Sequence, residues 1–554
     1  MPNNFEYLLT DQEVTNYTEA GYWKNRLLTD YLDDAVKAHP DQVCTVDPAG
    51  EHTYAELAAD VETTAHALLA SGVEPTDVVS IHLPNWYEWL VIHLAAIRIG
   101  AITNPLIPIY RDREIGYMAE AANTSLLFIT EEFRKFNYVD MVNRLRPNLP
   151  NLREIIVVRG TQEHEGFTSW DTFQESGSKH REENTVDFDA IKPDANSLVL
   201  INFTSGTTGR PKGVMHIHNS VLHGGLPWPD KLGMDHTSVI HMASTFAHLT
   251  GYLYGVELPI ILGAKGVFQD VWNPEEFIEL VEKHKINHTS GASPFLHDLI
   301  SARNLAEHDV TSLKRFCCMG APIPRAYVTT AKEKLPNMSV FGGWGQTECG
   351  LSTMCSPTDT FEKIVNTDGS PLPGMAIRTL DWEGKETAPG VEGKLQVKGP
   401  ILFRGYVNQL DVTRNEMDGE WFDTGDIATI DEDGYVRLSG RSKDIIIRGG
   451  ENIPVADVEN VLYEHPEIEA TAVVGVPHER LQEVAAAVVV LKEGAPELTM
   501  ESLRAYLETK GLAKPYWPEQ LVIVPELPRT PSGKIQKFLI RKELVEKASA
   551  EGTK

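Results

Sequence analysis

Residues 203–214 read Phe-Thr-Ser-Gly-Thr-Thr-Gly-Arg-Pro-Lys-Gly-Val, and their reading decides the fold. The apolar run Leu198 to Ile201 in front of them is predicted to be a buried strand. The stretch itself is small and hydroxylated at Thr204, Ser205, Thr207 and Thr208, and is broken by Gly206, Gly209 and Gly213. Glycine lets a backbone turn sharply and approach a ligand, and successive amides in such a turn form an anion-binding nest. Lys212 adds a charge. A strand followed by this turn is built to hold a polyphosphate. It is not a Walker A loop, which ends Gly-Lys-Ser/Thr before a helix. Here Arg210 and Pro211 separate Gly209 from Lys212, and the proline interrupts a helix. A flexible surface turn would account for a shorter match. Twelve residues in order behind a strand argue against that.

Outward from this point, helices and short buried strands alternate. Helical periodicity marks 26–39 and 55–72. Strands are expected over 78–83 and 102–105, on either side of a helix near 86–99, with another over 125–130. Such alternation is the signature of a parallel α/β sheet. Residues 160–195 are polar and read mostly as loop, and the alternation resumes from 197 to 345. From Arg378 to Val407 short strands with glycine turns suggest a β-rich subdomain. A boundary falls near Gly440. Beyond it come a strand (445–447), a helix (455–463), strands at 470–475 and 484–492, a helix (499–509) and a strand (520–524). That makes an α+β unit of about 110 residues, an ordinary domain size. The predicted class is α/β. An N-terminal domain, 1–440, holds parallel sheets and the β-rich subdomain, and a small C-terminal domain spans 441–554.

Composition narrows the function. At 554 residues the chain exceeds one ordinary core. A net charge of −29 argues against nucleic acid and against anionic membrane surfaces. It fits a salt-rich cytoplasm, or simply a solubilising surface. The apolar stretch 89–109 contains His93, Arg98, Asn104 and Pro105, so it reads as helix, turn and strand and not as a membrane span. Asn3, Glu6 and Asp11 interrupt any signal-like N-terminus. The five cysteines lack a Cys-x-x-Cys spacing, as expected of a reduced, cytoplasmic protein. Cys349, beside Glu348, reads as a small pocket residue more readily than as a nucleophile.

Further motifs follow in order. Ala247-His248-Leu249-Thr250-Gly251 contains His-x-x-Gly. Gly320-Ala321-Pro322 is a compact turn. Gly343-Trp344-Gly345-Gln346-Thr347-Glu348 carries an aromatic-Gly-x-Thr-Glu pattern. Thr424-Gly425-Asp426, Gly440-Arg441-Ser442-Lys443-Asp444, Gly449-Gly450-Glu451-Asn452 and Pro528 to Lys534 complete the series. Together with 203–214 the set resembles the adenylate-forming superfamily over nearly the whole chain, and is most similar to bacterial AMP-forming acyl-CoA ligases of the medium-chain or cyclohexanecarboxylate type. The resemblance implies an enzyme that joins a carboxylic acid to ATP, releasing pyrophosphate, and then passes the acyl group to coenzyme A. It implies a mobile C-terminal lid, Mg²⁺ as metal, a place in fatty acid metabolism, and a homodimer as an open assembly state. The 204–212 loop would hold the β- and γ-phosphates. Gly320, Ala321, Pro322, Gly343 and Trp344 would form the adenine side, Trp344 by stacking, with Gly345 and Gln346 beside it. Thr347 would touch the α-phosphate, and Glu348 with Thr204 would hold Mg²⁺. Asp426 would accept the ribose hydroxyls, with Arg441 on ribose or phosphate oxygens. Lys534 and His248, with Thr347 and Glu348, would be catalytic, and Lys443 the hinge. Gly449, Gly450 and Glu451 would line the pantetheine tunnel, and Arg448, Arg480 and Lys514 are candidates for the nucleotide end of coenzyme A. Pro454 directly after Ile453, and His478, depart from the family pattern.

The acyl pocket is expected from Ser244, Thr245, Phe246, His248, Gly291, Ala292, Gly343, Cys349, Gly350 and Leu351. These residues are mostly small and neutral, which leaves room for a bulky apolar acid. Aryl-acid ligases of the superfamily carry asparagine where Ser244 aligns, and this counts against hydroxybenzoates. Two alternatives stand beside the ligase: a stand-alone adenylating enzyme that loads a carrier-protein phosphopantetheine, and a catalytically idle acyl-adenylate-binding protein.

Overall fold

The computed structural model describes residues 3, 5–204, 211–320, 323–441, 446–448, 451–453, 455–478, 481–510, 512, 514–530 and 533–551. Ser205, Gly206, Thr207, Thr208, Gly209, Ala321, Pro322, Lys443, Gly449, Gly450, Pro454 and Arg480 lie outside them. Among the described residues the large lobe holds two big sheets. In one, Leu198–Phe203, Ile102–Pro105, Val78–His82, Thr124–Thr130 and Glu154–Val158 follow one another in parallel, with Gly213–Ile217 added antiparallel at one edge. In the other, Ser339–Gln346, Arg315–Cys318, His288–Gly291, Val239–Met242, Lys265–Phe268 and Val43–Asp47 are parallel. These strands are buried along most of their length because helices cover both faces.

Helix Tyr87–Arg98 shows how the sheets are joined. Every residue from Trp89 to Ile97 is buried, and they share one core with Val79, Ile81 and Phe128 of the first sheet and Ile240, Met242 and Phe268 of the second. A helix that is apolar all round has no solvent face to offer and must lie inside. The neighbouring helix Trp170–Glu183 replaces the loop expected for 160–195. Ser169 caps it by accepting from the Thr172 amide, and only Phe173 and Gly177 are buried. It lies against helix Tyr54–Ala70, so close that a Cβ on Gly177 would sit 2.2 Å from the Thr63 carbonyl oxygen.

The β-rich subdomain is larger than the expected 378–407. Ala376–Leu380, Gly393–Lys398, Trp421–Ile430 and Val436–Arg441 form its antiparallel sheet, with Met417–Asp418 at the edge. From residue 446 a separate sheet begins. Ile468–His478 and Gln482–Leu491 form its long hairpin, flanked by Ile446–Arg448 and by Gln520–Ile523, and helices Val455–Tyr463, Met500–Thr509 and Lys537–Glu551 accompany it. This α+β lobe has its own cores, around Val458 and Leu503 on one face and Val474 and Ile540 on the other. It meets the large lobe through the Arg437–Asp457 ion pair and the edge contact of Tyr327 with Tyr463. No helix among the described residues is long and apolar enough to cross a membrane.

Candidate active site

A cleft of about 1840 Å³ runs between the lobes and gathers residues from motifs far apart in the chain. Its first wall is the hairpin of Leu198–Phe203 with Gly213–Ile217. The register pairs Phe203 with Gly213, which leaves 204–212 at the tip. At the described ends of this tip the Thr204 amide donates to the Lys212 carbonyl at 3.0 Å, and the Lys212 amide donates to Thr204 Oγ1 at 3.3 Å.

The second wall is strand Ser339–Gln346 with the turn after it. Gly345 is obligatory there: a Cβ would stand 1.8 Å from the Gly350 carbonyl oxygen, where strand Gly350–Met354 returns. The tight return places Trp344 and Gln346 toward Asp426. The Trp344 indole N–H and the Gln346 side-chain amide each donate to Asp426 Oδ2 at 2.9 Å. Arg441 sits 3.0 Å from Oδ1, because antiparallel pairing of Trp421–Ile430 with Val436–Arg441 sets residues 426 and 441 side by side. Three donors hold a carboxylate that is only 5% exposed. A carboxylate has about four acceptor sites, so about one remains for a ligand while Arg441 stays in place.

Glu348, beside Thr347, is buried, and desolvation raises its carboxyl above the usual range, opposed first by a hydrogen bond from Tyr406. His216 Nε2 donates to the Thr347 carbonyl at 2.9 Å and fixes the turn from behind. Lys212 Nζ is 3.0 Å from Glu416, a cleft residue that no sequence motif marks. The oxygen donors Thr204 and Glu348, both in the cleft wall, suit a hard cation bound together with phosphates.

The third wall brings His248 and Lys534 together. His248 caps a short helical turn, and its Nδ1 accepts from the Thr250 amide at 3.3 Å. Burial, and then the charge of Lys534, push it down to about 4, so it is neutral at pH 7. Lys534 comes from the small lobe on a tight loop. There the Thr530 amide donates to the Lys534 carbonyl at 2.7 Å, and the Lys534 amide donates to Thr530 Oγ1 at 3.0 Å. Gly533 has φ +83°, and a Cβ on it would lie 3.3 Å from Pro294 of the large lobe. The loop therefore abuts the cleft rim.

Of the expected acyl-pocket residues, His248, Gly343, Gly350 and Leu351 line the cleft, and so do Leu253, Met319 and Ile323. Ser244, Thr245, Phe246, Gly291, Ala292 and Cys349 are not among the residues that line it. Phe246 is packed edge-on to Trp89 and Phe268, and the Ser244 carbonyl accepts from Asn85. Burial pushes the Cys349 thiol up to about 12, which rules it out as a ready nucleophile. Gly320 lines the cleft at φ +84°. Arg448 is paired with Glu519, and Lys514 lies 3.5 Å from Glu508. Glu451 begins the short strand Glu451–Ile453.

Comparison with known proteins agrees with this geometry. The family model for AMP-binding enzymes matches residues 32–407, and that for the AMP-binding enzyme C-terminal domain matches 457–534. The medium-chain fatty-acid–CoA ligase of Escherichia coli is 34% identical over 99% of this chain and 96% of its own. The mitochondrial medium-chain acyl-CoA ligase ACSF2 of Danio rerio is 29% identical, over 92% of this chain and 87% of its own. The crystal structure of ATP-bound MatB from Rhodopseudomonas palustris superposes with a TM-score of 0.83 at 27% identity, covering 94% of this chain and 99% of that one. Both lobes are matched in order, and the cleft between them carries the acids, cations and aromatic ring read from the sequence: the chain belongs to the AMP-binding enzyme family.

Proposed function

We infer that the chain is an AMP-forming acyl-CoA ligase, acting on a medium-chain or alicyclic apolar acid. The observation that carries this is the meeting of the tethered Asp426, the Glu348–Lys212 group and Lys534 in a single cleft. The names of the relatives, and the apolar wall of Leu253, Met319, Ile323 and Leu351, support the choice of acid.

A carboxylate is a poor electrophile and needs a better leaving group. Its oxygen attacks the α-phosphorus of ATP, the bond to the β-phosphate bridge oxygen breaks, and pyrophosphate leaves. Phosphoryl chemistry of this kind depends on positioning and on stabilisation of spread charge. Trp344 offers a ring face for adenine, and Asp426 an acceptor for ribose. The 204–212 loop with Lys212 takes the terminal phosphates, and Lys534 offsets charge between the carboxylate and the α-phosphate. A magnesium ion held by Glu348 and Thr204 would neutralise phosphate charge. In the second step the coenzyme A sulfur attacks the acyl carbon and AMP departs. Lys443 is the proposed pivot that turns the small lobe, from a division at 440/441, so that Gly449, Gly450 and Glu451 line the thiol's approach. A cytoplasmic setting fits these substrates.

The test is a panel of acids with ATP and Mg²⁺, comprising linear C4–C10 acids, cyclohexanecarboxylate, benzoate and hydroxybenzoates. It is run with and without coenzyme A while AMP and acyl-CoA are followed by mass. Turnover is expected only with coenzyme A and an apolar acid. Acyl-AMP without any thioester across the panel would favour carrier loading, and turnover of hydroxybenzoates alone would overturn the apolar pocket.

A further inference from the structure

Segment 403–407 carries none of the motifs, yet its backbone is bonded to two of them. The Phe403 amide donates to the Glu348 carbonyl at 2.8 Å. Next to it, Arg404 and Gly405 exchange hydrogen bonds with Met215, and the Val407 amide donates to Gly213 at 2.8 Å, along the strand that leaves the phosphate loop. Tyr406 is thereby fixed, and its own amide donates to Thr413 Oγ1 at 3.0 Å. The ring is 1% exposed and packs on Phe403. Its hydroxyl lies 2.9 Å from Glu348 Oε1 and 2.6 Å from Glu416 Oε2. Lys212 Nζ sits over the ring, 3.9 Å from its centre, and reaches Glu416 Oε1. A single side chain thus touches the cation-facing carboxylate with its edge and the phosphate-facing ammonium with its face.

We infer that Tyr406 is a positioning residue for the nucleotide's divalent cation, its hydroxyl aiming Glu348, while Glu416 is the counter-ion that holds Lys212 until polyphosphate takes its place. This rests on the ligase reading and takes it further. A desolvated carboxylate needs a donor to fix its rotamer, and the hydroxyl has one proton to give. With Lys212 on Glu416 Oε1, that proton is shared between Glu416 Oε2 at 2.6 Å and Glu348 Oε1 at 2.9 Å, and it is the donor that reaches Glu348. The ammonium then exchanges one set of anionic oxygens for another as ATP enters, and it is never stranded unpaired in the cleft.

The experiment is calorimetric binding of α,β-methylene-ATP, which cannot release pyrophosphate, in EDTA and in Mg²⁺. Tyr406→Phe keeps the ring under Lys212 and removes only the hydroxyl. Its metal-free Kd should stay within about twofold of the parent, while the tightening by Mg²⁺ should shrink by about tenfold, as for other groups that orient a metal ligand. Glu416→Gln should keep the Mg²⁺ effect and tighten metal-free binding by about threefold, because Lys212 loses its competing anion. A parental Mg²⁺ effect in Tyr406→Phe, or weaker metal-free binding in Glu416→Gln, would overturn the assignment. Unfolding curves establish that each variant is folded, and Tyr406→Met, which also lacks the hydroxyl, carries the Mg²⁺ comparison if Tyr406→Phe does not fold. If the unmodified protein fails to bind the analogue in either buffer, the ligase reading itself falls, and this assignment with it.

Discussion

Asp426→Asn is the most demanding test of the nucleotide site, because it changes charge and leaves shape alone. The carboxylate takes the Trp344 and Gln346 donors on Oδ2 and Arg441 on Oδ1. Asparagine has one acceptor oxygen. If that oxygen faces Trp344 and Gln346, an amide NH₂ confronts the guanidinium; if it is flipped, the NH₂ confronts two donors. At least one charge-assisted bond is lost either way, and such bonds are worth about 1.5–3 kcal/mol. Arg441 is partly exposed, so its share falls at the low end after solvent screening. A loss of about 1.5–2 kcal/mol in unfolding free energy is expected by urea titration. On the proposed reading the ribose loses its anionic acceptor as well, and a similar energy there is expected to weaken ATP binding by about 10–30-fold. Binding of α,β-methylene-ATP and chemical unfolding are read on the same preparation. Unchanged nucleotide affinity in a folded Asp426→Asn protein would refute the role given to this carboxylate, and unchanged stability would refute the three-donor argument.

Other expectations are more direct. Lys534→Ala should lower carboxylate-dependent ATP–pyrophosphate exchange by about 100-fold or more with ATP affinity nearly kept, since the lysine acts on transition-state charge; near-normal exchange would remove it from the mechanism. Lys443→Pro should spare adenylation and collapse thioester formation, because proline fixes φ; equal loss in both half-reactions would move the pivot elsewhere. Gly345→Ala drives a methyl into the Gly350 carbonyl, and a cost of about 3 kcal/mol or more is expected, read as a lowered Tm and a raised KM for ATP. Burial lowers His82, His93, His218, His241 and His288 to about 3, and His216 and His248 to about 4. Their folded values lie below the ordinary 6.5, so their contribution is whole above that pH and drains away as the unfolded chain takes up protons. Stability is therefore expected to fall as pH drops from 7 to 5. Glu257, pushed up to about 8 by burial, runs the other way, as do Asp368, pushed up to about 6, and Glu348, also raised, but they are three groups against seven. Stability equal at pH 7 and pH 5 would contradict this.

Local chemistry was what the sequence made legible. The strand Leu198–Phe203 announces itself by its apolar run, and helices such as Val455–Tyr463 show their buried face by period. Helix Trp170–Glu183 did not, because Phe173 and Gly177 alone turn inward and close approach at a glycine leaves no apolar stripe. The acyl wall was legible only in part, for a related reason. Spacing from His248 gives proximity, but not which side of the segment faces the cleft, and Phe246 turned into the core. Tyr406 and Glu416 stayed silent because their meaning lies in partners at positions 212 and 348, brought near only by the pairing of 403–407 with the strand from Gly213.

All five cysteines are free and buried, and none is bridged to another. A native molecule therefore offers alkylating reagents almost nothing to react with, and the rate of labelling becomes a clock for breathing of the chain. The clock has several hands. Cys44 reports on the strand Val43–Asp47 at one end of its sheet, Cys317 and Cys318 on that sheet's middle, and Cys349 and Cys355 on the turn beside Glu348 and the strand that leaves it. Peptide mapping of the alkylated protein would time these regions separately. Slowing of Cys349 by nucleotide, with Cys44 unaffected, would show ligand energy being spent on stilling one corner of the molecule and not the whole.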